Sequence, residues 1–363
     1  MNFKFYKKTF YNLLLIFVIG ILAKIIQYNI LPAKYFYDSK KILNMTLSEL
    51  SADKAYEFTA DFFKCINIFH FDSLLQWSIF FAIIGNIMIF VILLKDKEYT
   101  NIQYLFIYAS IALLNIYVFN ISKDIIQFLI FSFIYIILEK KKTSDTKKIV
   151  LITIMLLIEA LFFRVYYAVM AMLFITIVFM YNKFIKRKLM EKRSVIKLIS
   201  IILIAFFIEI MIVGIISKEN YDSLLNARFS TNIFRTDDLD AATIIIDPLG
   251  YNSNVGIFIG NYIINAIRMM IPIELATKGI KYVAFIIYQL AILYIVIKSL
   301  KNISSKNYLY IAVYLAYFMV SVLFEPDFGS WVRHESTIFL ILMGLIESTQ
   351  FTCRNCTTKI KES

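Results

Sequence analysis

Two apolar runs, residues 102–138 and 149–181, are each too long for one helix across a bilayer, and each carries charge near its middle. A hydrocarbon core of about 30 Å takes about 20 residues at 1.5 Å each. The first run is interrupted by Ser122-Lys123-Asp124, the second by Arg164 with Tyr166 and Tyr167 behind it. A charge left at mid-bilayer costs roughly 2.5–3.5 kcal/mol on insertion scales. Each run therefore predicts a hairpin of two short helices with its charge at the tip.

That reading makes the chain a membrane protein, and its composition agrees: 60% of residues are hydrophobic and only 18% charged, which excludes an ordinary soluble core. Further spans are predicted at about 11–31, 74–94, 198–216, 281–297, 308–324 and 336–348. The opening MNFKFYKKTFYNLLLIFVIGILAKIIQ has a basic flank and an apolar core but no small-residue cleavage site, so it reads as a retained first helix. The fold class expected is an all-α polytopic membrane protein of about ten transmembrane helices, one integral-membrane domain over 1–363.

The distribution of Lys and Arg orients it. Lys140, Lys141, Lys142, Lys147 and Lys148 fill one short connection; Lys183, Lys186, Arg187, Lys188, Lys192, Arg193 and Lys197 fill another. With these inside, both termini are cytoplasmic, the tail 349–363 included. Two large loops, 32–73 and 217–280, face outward with both hairpin tips. The net charge of +12 is then a topology signal, and nucleic acid is not an expected partner.

The stretch FEPDFGSWVRHE, residues 324–335, sets Glu325, Asp327, Arg333, His334 and Glu335 between two apolar runs on the same outward face. Arg164, Lys123, Arg268 and Arg333 form the cationic set on that face, although cations at helix ends also serve as interface anchors. Asp38, Glu325 and Asp327 are candidate bases or solvated loop charges. His334 either titrates near neutrality or hydrogen-bonds within its loop. Tyr166, Tyr167 and Trp331 either stack on sugar faces or belong to an aromatic belt. Residues 255–275 read as an amphipathic helix in the outer interface, with Asn261, Asn265 and Arg268 on one face and Pro272 ending it. Inside the bilayer, Lys24, Glu159 and Glu209 share a depth that predicts an ion pair across the bundle, with a proton relay as the second reading. Asp238-Leu-Asp240 has the spacing of an Asp-x-Asp metal motif within an acidic cluster, and the lone Cys353-x-x-Cys356 lacks a second pair. Cys65 stands alone, and neither a metal nor a cofactor is expected.

The stretches YNILPAKYFYDS, SKD, FFRVYY and FEPDFGSWVRH, set among about ten spans with two large outer loops, resemble the Wzy-type, EpsG-like polymerases of bacterial capsule and O-antigen repeat units. Arg268 and Gly279 also have the Arg-x10-Gly spacing of that family's outer loop. The resemblance implies a bacterial cytoplasmic-membrane glycosyltransferase with an outward active site. Its substrate would be an oligosaccharide linked to undecaprenyl diphosphate, and a flippase and chain-length regulator would be pathway partners. Arg333, Arg164, Arg268 and Lys123 would bind the diphosphate, and Asp38, Asp327, Glu325 or His334 would handle the acceptor proton. Two other classes stay open, a lipid-linked oligosaccharide flippase or other transporter, and a membrane O-acyltransferase.

Overall fold

A computed structural model describes residues 7–48, 54–94, 98–185, 202–210, 243–250 and 255–348. The Asp238–Asp240 motif, the Cys353–Cys356 pair, the basic residues 186–197 and most of the expected span 198–216 lie outside them. Helices carry nearly all of the described chain, whose only β feature is an isolated antiparallel bridge between Ile244 and Asp327. Two units divide it. The first comprises Met1–Phe131, Glu159–Val165 and Arg333–Phe339; the second comprises Ser132–Ile158, Tyr166–Val332 and Leu340–Ser363.

In the first unit, α1 (Lys7–Asn29), α4 (Leu74–Leu93) and α5 (Asn101–Leu113, continued by a π-helical turn over Leu114–Val118) pack together. Ser73 with Gln76 and Thr100 with Gln103 form capping boxes that start α4 and α5, satisfying backbone donors that an apolar surround would leave unpaired. Leu14, Leu15, Val18, Ile21, Leu22 and Ile25 of α1 stay exposed, the outward apolar face expected of a helix in lipid. Between α1 and α4 the chain forms two amphipathic helices, α2 (Tyr37–Leu47) and α3 (Lys54–Ile66), which pack on each other. Phe63 of α3 is wholly buried, edge-on to Trp77 at 5.5 Å and to Phe81 at 5.8 Å.

Both long apolar runs break where the charges stand. The helix ending at Val118 is followed by bends, and α6 (Lys123–Glu139) starts at the lysine; α7 (Asp145–Phe162) stops two residues before Arg164, and α8 is Tyr167–Met180. In the second unit α8 packs along α12 (Tyr308–Phe324), whose side chains are nearly all buried, and α10 (Val255–Met270) and α11 (Val283–Lys301) pack on α12 as well. A further short helix covers 202–210 and is α9. Helix α13 is Phe328–Ser336, and α14 is Phe339–Ser348.

Among the described residues four helices are long and apolar enough to cross a membrane: Thr9–Asn29, Leu74–Leu93, Asn101–Val118 and Val283–Lys301. Tyr167–Lys183, Val255–Met270, Tyr308–Phe324 and Phe339–Ser348 are apolar but shorter. Of the four pieces of the broken runs only Asn101–Val118 is among the four long helices, and the expected span 198–216 lies mostly outside the described residues.

The expected ion pair among Lys24, Glu159 and Glu209 is not formed. Lys24 donates to Gln27 Oε1 at 2.9 Å and to the Phe119 carbonyl at 2.8 Å, at the end of the π-helical turn, where a helix C-terminus favours a cation. Glu209 accepts from Thr176 at 2.6 Å. Glu159 is wholly buried, and neither of its carboxylate oxygens has a hydrogen-bond partner. Equal depth along three helices carries no information about which way each side chain points.

Candidate anion-binding site

The site grows from three helix ends of the first unit. Helix α6 starts at Lys123, and Asp124 and Gln127, three residues apart, share one of its faces. After α7 the amides of Phe163 and Arg164 both donate to the Glu159 carbonyl, at 3.0 and 2.9 Å, which turns the chain and ends the helix. Arg333 and His334 lie in the last turn of α13.

Asp124 is the hub. Its Oδ1 accepts a short hydrogen bond from Arg164 Nη2 and lies 3.2 Å from His334 Nε2. Its Oδ2 is 3.1 Å from Arg333 Nε, an ion pair without the alignment of a hydrogen bond. Arg164 Nη1 donates to Gln127 Oε1 at 2.5 Å, and the Gln127 amide donates to Thr337 Oγ1 at 2.6 Å and more weakly to the His334 carbonyl at 3.4 Å. His334 Nε2 also stands 3.1 Å from Arg333 Nη2 and 3.5 Å from Arg164 Nη2. Burial by itself would push the Asp124 carboxyl up, but Arg333, His334 and Arg164 together hold it well below the usual carboxylate range. The carboxylate is ionised, and two guanidiniums share it.

The side chains of Asp124, Arg164 and His334 are 6%, 10% and 12% exposed, whereas that of Arg333 is 23% exposed. Arg333 is thus the cation of this set most open to a solute. Two guanidiniums converge on this carboxylate, and a planar guanidinium presents a fork suited to phosphate oxygens.

Beside the cluster, the Lys123 ammonium lies 3.5 Å from the centre of the Tyr56 ring, and that of Lys41 lies 4.0 Å from it. The Tyr56 hydroxyl donates to Asp38 Oδ1 at 2.8 Å. The first unit thus gathers Arg164, Arg333 and His334 on Asp124, and links Lys41, Lys123 and Asp38 through Tyr56.

Other candidates have different partners, all within the second unit. Arg268 donates from Nε and Nη2 to both oxygens of Glu274 at 2.8 and 2.6 Å, and from Nη1 to the Ile246 carbonyl at 2.6 Å and Asn265 Oδ1 at 2.9 Å. Asn261 and Asn265, on the same face of α10, bind Leu249, Gly250 and Asp247, so that polar face holds the chain's own segment 243–250. Pro272 does end α10, and Gly279, at φ +135°, turns the chain toward α11 in a conformation that side-chain-bearing residues avoid. Glu325 accepts from Ser330 Oγ at 2.8 Å, and Asp327 Oδ1 accepts from the Ser330 amide at 2.7 Å, capping α13.

Two of the three aromatic candidates are corrected. Trp331 is fully buried, stacked at 22° on Tyr317 and edge-on to Phe318, and Tyr167 is 1% exposed, so neither presents a face to a sugar. Helix α13 starts at Phe328, which turns Trp331 into the core. Tyr166 is partly exposed, with one face stacked on Phe324 at 4.7 Å.

Sequence reasoning missed Asp124 and Gln127. The signal was present: an acid beside Lys123 at one helix break, facing a run whose own break carries only Arg164. Comparison with protein-family models, with curated proteins and with solved structures gives no match.

Proposed function

We propose that this chain is a membrane glycosyltransferase that joins oligosaccharide repeat units carried on undecaprenyl diphosphate, at the outer face of the bacterial cytoplasmic membrane. The observation that carries the reading is the pair of guanidiniums converging on Asp124 at the ends of broken apolar runs. In the proposed topology both breaks and the start of α13 face outward, both termini are cytoplasmic, and the short helices complete a set of about ten spans.

In this reading the lipid diphosphate docks on Arg333 from the open side, with Arg164 behind it. The acceptor hydroxyl attacks the anomeric carbon, the bond from that carbon to the diphosphate oxygen breaks, and undecaprenyl diphosphate leaves with the bonding pair. Cationic donors fixed beside the departing oxygens stabilise charge as it develops. The hydroxyl proton passes to a base within hydrogen-bond reach. Asp124 is poorly suited to that role because its cations keep it ionised and occupied. His334 or Asp38 serves instead.

Deleting the gene tests the class. The expected cell still displays single lipid-linked units at its outer face and loses only the polymer. Units confined to the cytoplasmic face would make the protein a flippase and end this reading. A cysteine at Gly329 in a Cys-free chain tests the orientation: an impermeant thiol reagent should reach it in intact cells, and a cysteine at Met190 only after permeabilisation.

A further inference from the structure

We infer that the cleft between α1, α2 and the start of α4 is a sugar-binding subsite, seating a sugar that presents a carboxylate or N-acyl oxygen. This rests on the proposed function, where it would hold the acceptor unit. The cleft lies wholly within the first unit, encloses about 160 Å³ and is lined by Gln27, Tyr28, Phe36, Ser39, Lys40 and Asn120, with Leu31, Ala33 and Leu74 completing its wall. A dry cavity of roughly 150 Å³ accommodates a six-membered ring. Its polar groups are built in: Gln27 and Asn120 are 4% and 3% exposed, and Gln27 Nε2 donates to Asn120 Oδ1 at 2.7 Å.

The unused valences on that floor define the ligand. Each primary amide has two N–H donors. Gln27 uses one on Asn120, its oxygen accepts from Lys24, and Asn120 uses one on the Ile116 carbonyl. One N–H remains on each amide, and the rim adds the Ser39 hydroxyl and the Lys40 ammonium. The cleft is rich in donors and poor in free acceptors, so it selects a ligand bearing acceptor oxygens. One lysine beside two neutral amides suits a single carboxylate or acyl oxygen, where a diphosphate would call for several cations. Tyr28 and Phe36 supply the apolar faces on which the C–H side of a sugar ring rests.

Position ties the cleft to the anion site. Asn120 lies in the same break as Lys123 and Asp124, three and four residues on. Ser39 and Lys40 adjoin Asp38 on α2, so a sugar in the cleft would bring its hydroxyls alongside a carboxylate and the Lys123 cation.

The test uses the full-length protein in nanodiscs, with Cys65, Cys353 and Cys356 changed to serine and Ala33→Cys introduced at the cleft wall. Maleimide labelling is timed with glucuronic acid, N-acetylglucosamine, glucose or inorganic pyrophosphate present. Glucuronic acid or N-acetylglucosamine at about ten times its Kd should slow labelling about tenfold, with glucose weaker and pyrophosphate without effect. Gln27→Leu should abolish the protection. Protection by pyrophosphate alone, slowing that follows the anionic phospholipid content of the disc and no sugar, or no protection by any probe would each overturn the inference. The same protection should persist in an Arg333→Ala background. If cells lacking the gene still make normal polymer, the polymerase reading fails while the sugar subsite stands.

Discussion

Arg268 and Arg333 are the same side chain in opposite circumstances. Arg268 meets Glu274 one to one, fork to fork, and gives its remaining Nη1 bonds to a carbonyl and an amide oxygen. Arg333 shares Asp124 with Arg164 and His334. The first arrangement is neutral and saturated, and its work is to hold segment 243–250 on α10. The second sets two guanidiniums on Asp124 in a mostly buried setting, where charges act on one another more strongly than in water. The two arginines differ in the partners they share and not in burial, since their side chains are 22% and 23% exposed.

The largest effect should come from removing the shared anion. Asp124→Asn removes the carboxylate on which two guanidiniums converge in a mostly buried site, and breaking a buried pair by removing one partner typically costs about 3–5 kcal/mol. The variant should accumulate poorly in the membrane or melt far below the parent in detergent, whereas Glu274→Gln should change neither property appreciably. Equal losses in the two variants would erase the distinction.

Next comes chemistry without loss of fold. Arg333→Ala should abolish polymer at normal protein level, since losing one oriented donor at a developing charge costs about 2.7–4 kcal/mol in the barrier. Arg333→Lys should recover little, because one ammonium cannot fork two phosphate oxygens. Polymer of normal length in Arg333→Ala cells would leave this arginine an interface anchor.

Acid offers a milder probe of the same contrast. The folded-state pKa of Asp124 is depressed, so its stabilisation is fully present above the ordinary carboxylate value of about 3.9 and is lost only as pH falls through the lower folded value. Thermal unfolding of the purified protein should therefore keep the cluster's contribution through pH 5 and begin to lose it below about pH 4, progressively toward the lower folded value. Asp124→Asn should lack that acid limb, and its persistence there would assign the limb to other carboxylates.

What was legible in the sequence follows from what one dimension can encode. The helix breaks beside Asp124 and Arg164 could be read because a charge inside an apolar run is a local, costly event. The end of α10 at Pro272 is equally local. Which residues meet is a matter of azimuth and tertiary packing. Asp124 reads in the sequence only as part of the charge at a hairpin tip, and α6 turns it toward two arginines distant in the chain. Trp331 and Tyr167, read as boundary aromatics, are buried because helix register, set by where α13 and α8 start, turns them inward. Arg164 and Arg333 were legible because they stand at breaks and helix ends that pattern alone locates.

The smallest expected effect is the one that most sharpens the comparison. Arg268→Lys keeps a positive charge beside Glu274 but loses the fork, and the Glu274 side chain is 40% exposed. Water and salt screen such a pair, so its net worth is about 0.2–1 kcal/mol. What the lysine cannot do is bond Glu274, the Ile246 carbonyl and Asn265 at once. The variant should keep polymer yield within about twofold, because a structural loss of ~0.5 kcal/mol changes populations only that much, while proteolysis within segment 243–250 becomes faster as its tether loosens. A polymer defect as deep as that of Arg333→Lys, with the proteolysis rate unchanged, would put Arg268 back among the substrate-binding cations and make its pairing with Glu274 a resting contact that the diphosphate displaces.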